Sequence, residues 1–212
     1  MKGLLMKEWY SLTGMSNFKI LALFAVGCIL IGTRKSMEFI LIYLPILASM
    51  IPRMVLAYDE NSKWEQFSLA LPYSRKDIVT AKYLITFLLC AVCTILSGIA
   101  FCVSMAINDG FEIQRLLFML SVSIGASLLI PSFAFPIDMK YGAAKGRIFT
   151  FLYAVLLGLA GAYLGGASGS ENTLASLSGI MSFVPYFAAV AGLFLFGISW
   201  MISVHFYEKR EF

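Results

Sequence analysis

No charged residue lies between Lys82 and Asp109, and apolar runs of similar length recur along most of the chain. A helix needs roughly 20 mostly apolar residues to cross the hydrocarbon core of a bilayer. Lipid offers no partners to backbone N–H and C=O groups, so such runs must satisfy their own hydrogen bonds as helices. Six candidate spans follow, at 18–33, 37–57, 83–107, 113–137, 148–165 and 180–204. The first is short, and Lys19 and Arg34 at its edges help it by extending their charges toward water. Only Glu171 and His205 interrupt the uncharged sequence from Ile148 to Tyr207, so the register of the last two spans is the least fixed, and a re-entrant or surface helix within 166–179 fits equally well. The composition agrees: 60% of residues are hydrophobic and 13% charged, against about 25% charged in a soluble domain. Mean hydropathy is +0.85. The expected fold class is therefore an all-α integral membrane protein.

The basic residues give the bundle a direction. Lys2, Lys7 and Lys19, then Lys63, Arg75, Lys76 and Lys82, then Lys140, Lys145 and Arg147, then Lys209 and Arg210 fall on one side, leaving Arg34, Lys35 and Arg115 opposite. The positive-inside rule places the larger set, with both termini, in the cytoplasm. Because these residues border spans instead of clustering, the net charge of +4 implies no nucleic-acid partner. Before the first span, Met1, Leu4, Leu5, Trp9 and Leu12 share one helical face, with Lys2, Lys7 and Glu8 elsewhere. That pattern predicts a helix lying in the membrane interface.

One polar stretch, DENSKWEQFSLALPYSRKDIVTAK at 59–82, separates spans two and three. Ser62-Lys63-Trp64-Glu65 and Ser74-Arg75-Lys76-Asp77 each have the spacing of a capping box, in which a hydroxyl caps a helix start and an acid three residues on caps back. Two short helices are expected, divided at Leu71-Pro72, where proline disfavours helix in the residue before it. Trp64, Phe67 and Leu71 then form an apolar stripe that needs a protein cleft or the headgroup belt.

The spans hold little chemistry. Cys28, Cys90, Cys93 and Cys102 all lie in apolar runs, where they act as small hydrophobes. A lone His205 cannot build a multi-histidine metal site. The stretch from Gly142 to Arg147 lacks the GxxxxGK[ST] pattern of a phosphate loop, so no ATP site is expected. Glu38, Asp109, Glu112, Asp138 and Glu171 plot near span ends, within reach of water. Arg53 stands apart within the second span, about 8 Å before the insert at helical rise. Its side chain either snorkels to the headgroups or faces the inner mouth of a cavity, where Pro52 bends the helix.

This layout resembles the small ABC-2 type permeases of bacterial ABC exporters over the whole chain. Its most specific part is LASMIP at 47–52, AYDENSKWE at 57–65, LALPYSRKDIV at 69–79 and Lys82-Tyr83, similar to the group that includes the phenol-soluble modulin exporters. The resemblance implies one transmembrane domain over 1–212, with an elbow helix at 1–17 and a cytoplasmic coupling segment at 59–82, in a bacterial plasma membrane. Two permeases, a second copy or a paralogue, would carry separate ABC ATPase subunits. ATP and Mg would sit on those subunits, with no cofactor and no catalysis on this chain. Glu60, Ser62, Lys63, Trp64, Glu65, Phe67, Leu71, Pro72, Ser74 and Arg75 would dock in the ATPase, and Asp138, Lys140, Lys145 and Arg147 would make a second contact. Met50, Pro52 and Arg53 would border the substrate cavity. The implied cargo is an amphipathic, antimicrobial or toxin peptide. Small-molecule drugs, lantibiotics, lipids and a non-transporting membrane anchor for an ATPase remain open.

Overall fold

The computed structural model describes residues 2–14, 34–62, 64, 67, 74–108, 112–142, 145, 146, 148, 152 and 184–209. Among them run five helices: α1 (Lys2–Gly14), α2 (Arg34–Asn61), α3 (Arg75–Asn108), α4 (Ile113–Tyr141) and α5 (Val184–Glu208). Four stretches, Ile40–Asn61, Arg75–Ile107, Ile113–Tyr141 and Tyr186–Glu208, are long and apolar enough to cross a membrane. Apart from Ile148 and Leu152, the spans expected at 18–33 and 148–165 lie outside the described residues.

Helix boundaries correct the sequence expectation at the insert. The Ser74 capping box forms as expected: the Ser74 hydroxyl accepts from the Asp77 N–H at 3.1 Å, and the Asp77 carboxylate accepts from the Ser74 N–H at 3.2 Å. It does not open a short helix, however, but a single helix of 34 residues that continues through the third apolar run. No breaker stands between Arg75 and Tyr83, so nothing stops propagation. Ser62 closes α2: its N–H donates to the Tyr58 carbonyl at 3.0 Å and its hydroxyl to the Asp59 carbonyl at 3.2 Å, while Glu65, its expected capping partner, lies outside the described residues.

Prolines shape α2. Pro45 has no N–H to give the Leu41 carbonyl, four residues earlier. The Ser123 hydroxyl of α4 donates to that carbonyl at 2.6 Å, so the freed acceptor becomes an interhelical tie. Small residues bring α4 and α5 together. A Cβ at Gly125 would lie 3.0 Å from the Ala188 carbonyl carbon, and Gly192 faces the Gly125 carbonyl oxygen. Such close approach is how helices associate where lipid removes the hydrophobic drive. α3 meets α5 through Tyr83, whose hydroxyl shares hydrogen bonds with Ser199 at 2.7 Å and Ser203 at 2.6 Å.

These contacts set which helix ends meet. Leu4, Leu56, Ile78, Val79, Phe135, Met139 and Tyr207 form one buried cluster from all five helices. The Arg75 guanidinium donates to the Glu208 carbonyl at 2.9 Å, placing the last turn of α5 beside the first of α3. At the opposite end Arg115 of α4 pairs with Glu38 of α2. α1 thus sits at the end where α2, α4 and α5 finish and α3 begins.

Two glycine substitutions test the α4–α5 packing. Gly125→Leu overpacks the seam, at a cost of about 1–3 kcal/mol, and should lower the melting temperature in detergent by several degrees. Gly197, where an added Cβ would meet nothing within 4 Å, should accept alanine without loss.

Candidate coupling site

The apolar bundle buries a compact group of charges at the insert. The Lys82 ammonium, on the second turn of α3, donates to Asp59 Oδ2 at 2.5 Å and to Glu8 Oε1 at 3.1 Å. Lys7 Nζ donates to Asp59 Oδ1 at 2.6 Å and to Glu8 Oε1 at 3.1 Å. Each carboxylate therefore meets both ammonium groups. Glu8, Asp59 and Lys82 are almost fully buried and Lys7 partly so. Removing an ion from water costs several kcal/mol, offset only when its partners are well placed. Two anions and two cations balance here, and the arrangement fixes α1 against the end of α2 and the start of α3.

Trp64 joins the group from the insert. Lys7 Nζ lies 4.8 Å from the centre of its ring, within cation–π range. Phe67 packs 5.5 Å from Trp64 but remains 59% exposed. One aromatic is thus held against the charge group while its neighbour projects outward.

A second buried pair lies deeper. Arg53 of α2 grips Asp138 of α4 with both arms, Nε to Oδ2 at 2.6 Å and Nη2 to Oδ1 at 2.9 Å. The Arg53 guanidinium is turned between helices, and Asp138, at 1% exposure, is not the water-reached acid that its place near a span end suggested. The paired geometry explains how both charges are tolerated within the bundle.

Of the other expected site residues, Met50 is half-buried and Pro52 buried. Glu60 is half-buried, and its carboxylate fills the space where a Cβ on Gly142 would stand. Ser62 and Ser74 are exposed, while Arg75 is engaged with the end of α5. Lys140 and Lys145 are exposed, with Lys140 Nζ over the rings of Tyr141 at 5.0 Å and Phe206 at 5.1 Å. Lys63, Glu65, Leu71, Pro72 and Arg147 lie outside the described residues.

Sequence reasoning missed Lys7, Glu8, Asp59 and Lys82 as a unit. Of the face expected to lie in the interface, Leu4 and Leu12 are buried against the bundle together with Glu8, which that reading placed elsewhere, while Trp9 is half exposed. The signal was present, since Glu8 stands four residues from each leucine and thus on their stripe.

Among known protein families, residues 3–208 match the one described as ABC-2 family transporter protein. The chain belongs to the ABC-2 transporter family. No curated protein and no solved structure matches it. Membership makes this a multi-pass membrane protein and a permease subunit of an ABC transporter, and implies an ABC ATPase subunit as partner. Membrane components of the ABC-2 family are generally not catalytic themselves.

The charge group makes a sharp demand on this ABC-2 protein. Lys82→Met leaves Glu8 and Asp59 with Lys7 alone, and breaking a buried pair costs about 3–5 kcal/mol. Melting followed in detergent should show a large loss for Lys82→Met, and a small one for the exposed Lys140→Met.

Proposed function

We propose that this chain is the permease half of an ATP-driven exporter, that two copies or paralogues form the pathway, and that the insert carries the stroke of a separate ABC ATPase into the bundle. The observation that carries this reading is the pairing of Trp64 with Phe67. Phe67 offers a rigid apolar anchor to a partner cleft, and Trp64 beside it is already in contact with Lys7, whose partners Glu8 of α1 and Asp59 of α2 are shared with Lys82 of α3. Displacing the insert therefore pulls on a group shared by three helices.

Six crossings fit the described ends. α1 lies at the insert end and α2 starts at the other, while α4 and α5 both finish at the insert end. The positive-inside count assigns that end to the cytoplasm of a bacterial plasma membrane. ATP and Mg belong to the partner, and amphipathic peptides are the cargo class we favour on the resemblance of the insert.

Co-expression with candidate ABC ATPases, purification by a tag on this chain and reconstitution with a fluorescent amphipathic helical peptide test the proposal. The complex should hydrolyse ATP, respond to the peptide and move it across the vesicle membrane. Hydrolysis unchanged by peptide, with no movement, favours a membrane anchor, and movement of a lipid or dye alone reassigns the cargo. An aromatic anchor is worth about 2 kcal/mol or more, so Trp64→Ala with Phe67→Ala should weaken ATPase retention at least tens-fold. Full retention would return both rings to the headgroup belt.

Orientation has its own measurement. With native cysteines replaced, a cysteine at Glu112 should label from outside intact cells and one at Ser62 only after the membrane is opened. The reverse pattern overturns the coupling assignment.

A further inference from the structure

The Arg53–Asp138 pair is the first of two ties between α2 and the end of α4, and the chain leaving α4 holds Asp138 in turn. Arg53 and Glu60 are seven residues apart on α2, two turns along one face. Asp138, Gly142 and Gly146 follow one another at intervals of four. The Arg53 guanidinium clasps Asp138, and the Glu60 carboxylate lies against Gly142. Gly146 rests on the Asp138 carboxylate so closely that any Cβ there would collide with it. Gly142 itself has φ +87°, a conformation that side chains rarely adopt, and its N–H donates to the Asp138 carbonyl at 2.9 Å. The Gly146 N–H donates in turn to the Gly142 carbonyl, also at 2.9 Å. Gly142 is required by its positive φ, and Gly146 because the Asp138 carboxylate, held by Arg53, fills the space a side chain would need.

Depth shows what the ties join. Arg53 stands about 12 Å from the end of α2, and Asp138 about 5 Å from the end of α4, at helical rise. α2 therefore overshoots α4 by about two turns less a few ångströms, and Gly146 lies back against the Asp138 carboxylate. Exposed Lys145 adjoins Gly146, and the insert departs from the overshoot at Ser62.

We infer that Arg53 and Asp138 are positioning residues that lock the insert-bearing end of α2 and the Gly142–Gly146 connection into one body. A partner that moves the insert then moves α4 with it, so span two and span four receive a single displacement. The consequence for transport rests on the reading of the insert as the ATPase contact; the lock itself does not.

Spin labels at Ser62 and Lys145 of the full chain in nanodiscs, with native cysteines replaced, read the lock directly. The parent protein should give one narrow distance distribution. Arg53→Gln, Asp138→Asn and Gly146→Ala should each lose that narrow peak, Gly146→Ala without changing any charge, while Gly197→Ala keeps it. Should a charge variant fail to fold, Gly146→Ala decides alone. A broad distribution in the parent, or a narrow one retained in Gly146→Ala, overturns the inference. In the ATPase complex the parent distance should hold between nucleotide-free and vanadate-trapped states, and a shift beyond about 5 Å, one helical turn, also overturns it. If no ATPase is retained, the proposed function fails while the nanodisc comparison still decides the lock.

Discussion

An ammonium group sealed from water must meet carboxylates, and at Lys82 that requirement organises one whole end of the molecule. Glu8 comes from α1 and Asp59 from the last turn of α2, so the charge on α3 can be balanced only if all three helices arrive in register. The apolar contacts of Leu4, Leu56 and Val79 close around the same junction. Hydrophobic packing brings the helices near one another, but it is non-directional. The ion pairs select a single arrangement among many that bury equal area.

The charges also separate two kinds of cohesion. In the apolar middle, helices are joined by close backbone approach at Gly125 and Gly192 and by the Ser123 hydroxyl. Near the insert they are joined by ionised groups with two or more partners each. Removing a methyl from the first region changes packing locally, whereas removing a charge from the second leaves its partners uncompensated.

Much of this was legible in the sequence, because the bilayer imposes a strong local pattern. Four apolar helices stand where the runs predicted them, and the Ser74 capping box formed from spacing alone. Continuity from Ser74 into the third apolar run was missed because the polar composition of Arg75–Lys82 suggested a boundary that no breaker residue enforces. The ion pairs were missed for a different reason. Arg53 and Asp138 lie 85 positions apart, and Glu8 and Lys82 lie 74 apart. Periodicity reports which face of a helix is apolar, not which charge on another helix it will meet. Hence Arg53 could be recognised as anomalous without its partner, and Asp138 could be mistaken for a residue at the water's edge.

The unbroken course of α3 makes it a lever. Its 34 residues span about 50 Å at helical rise, with the ion-paired Lys82 near one end and Asn108 at the other. A stiff rod converts rotation into travel: a tilt of about 10° about its first turn would carry the far end, packed against α2 and α4, some 9 Å, roughly the distance between packed helix axes. Two short helices joined by a hinge would have absorbed that rotation at the joint. The missing break after Asp77 therefore gives the molecule mechanical gain across the full thickness of the membrane.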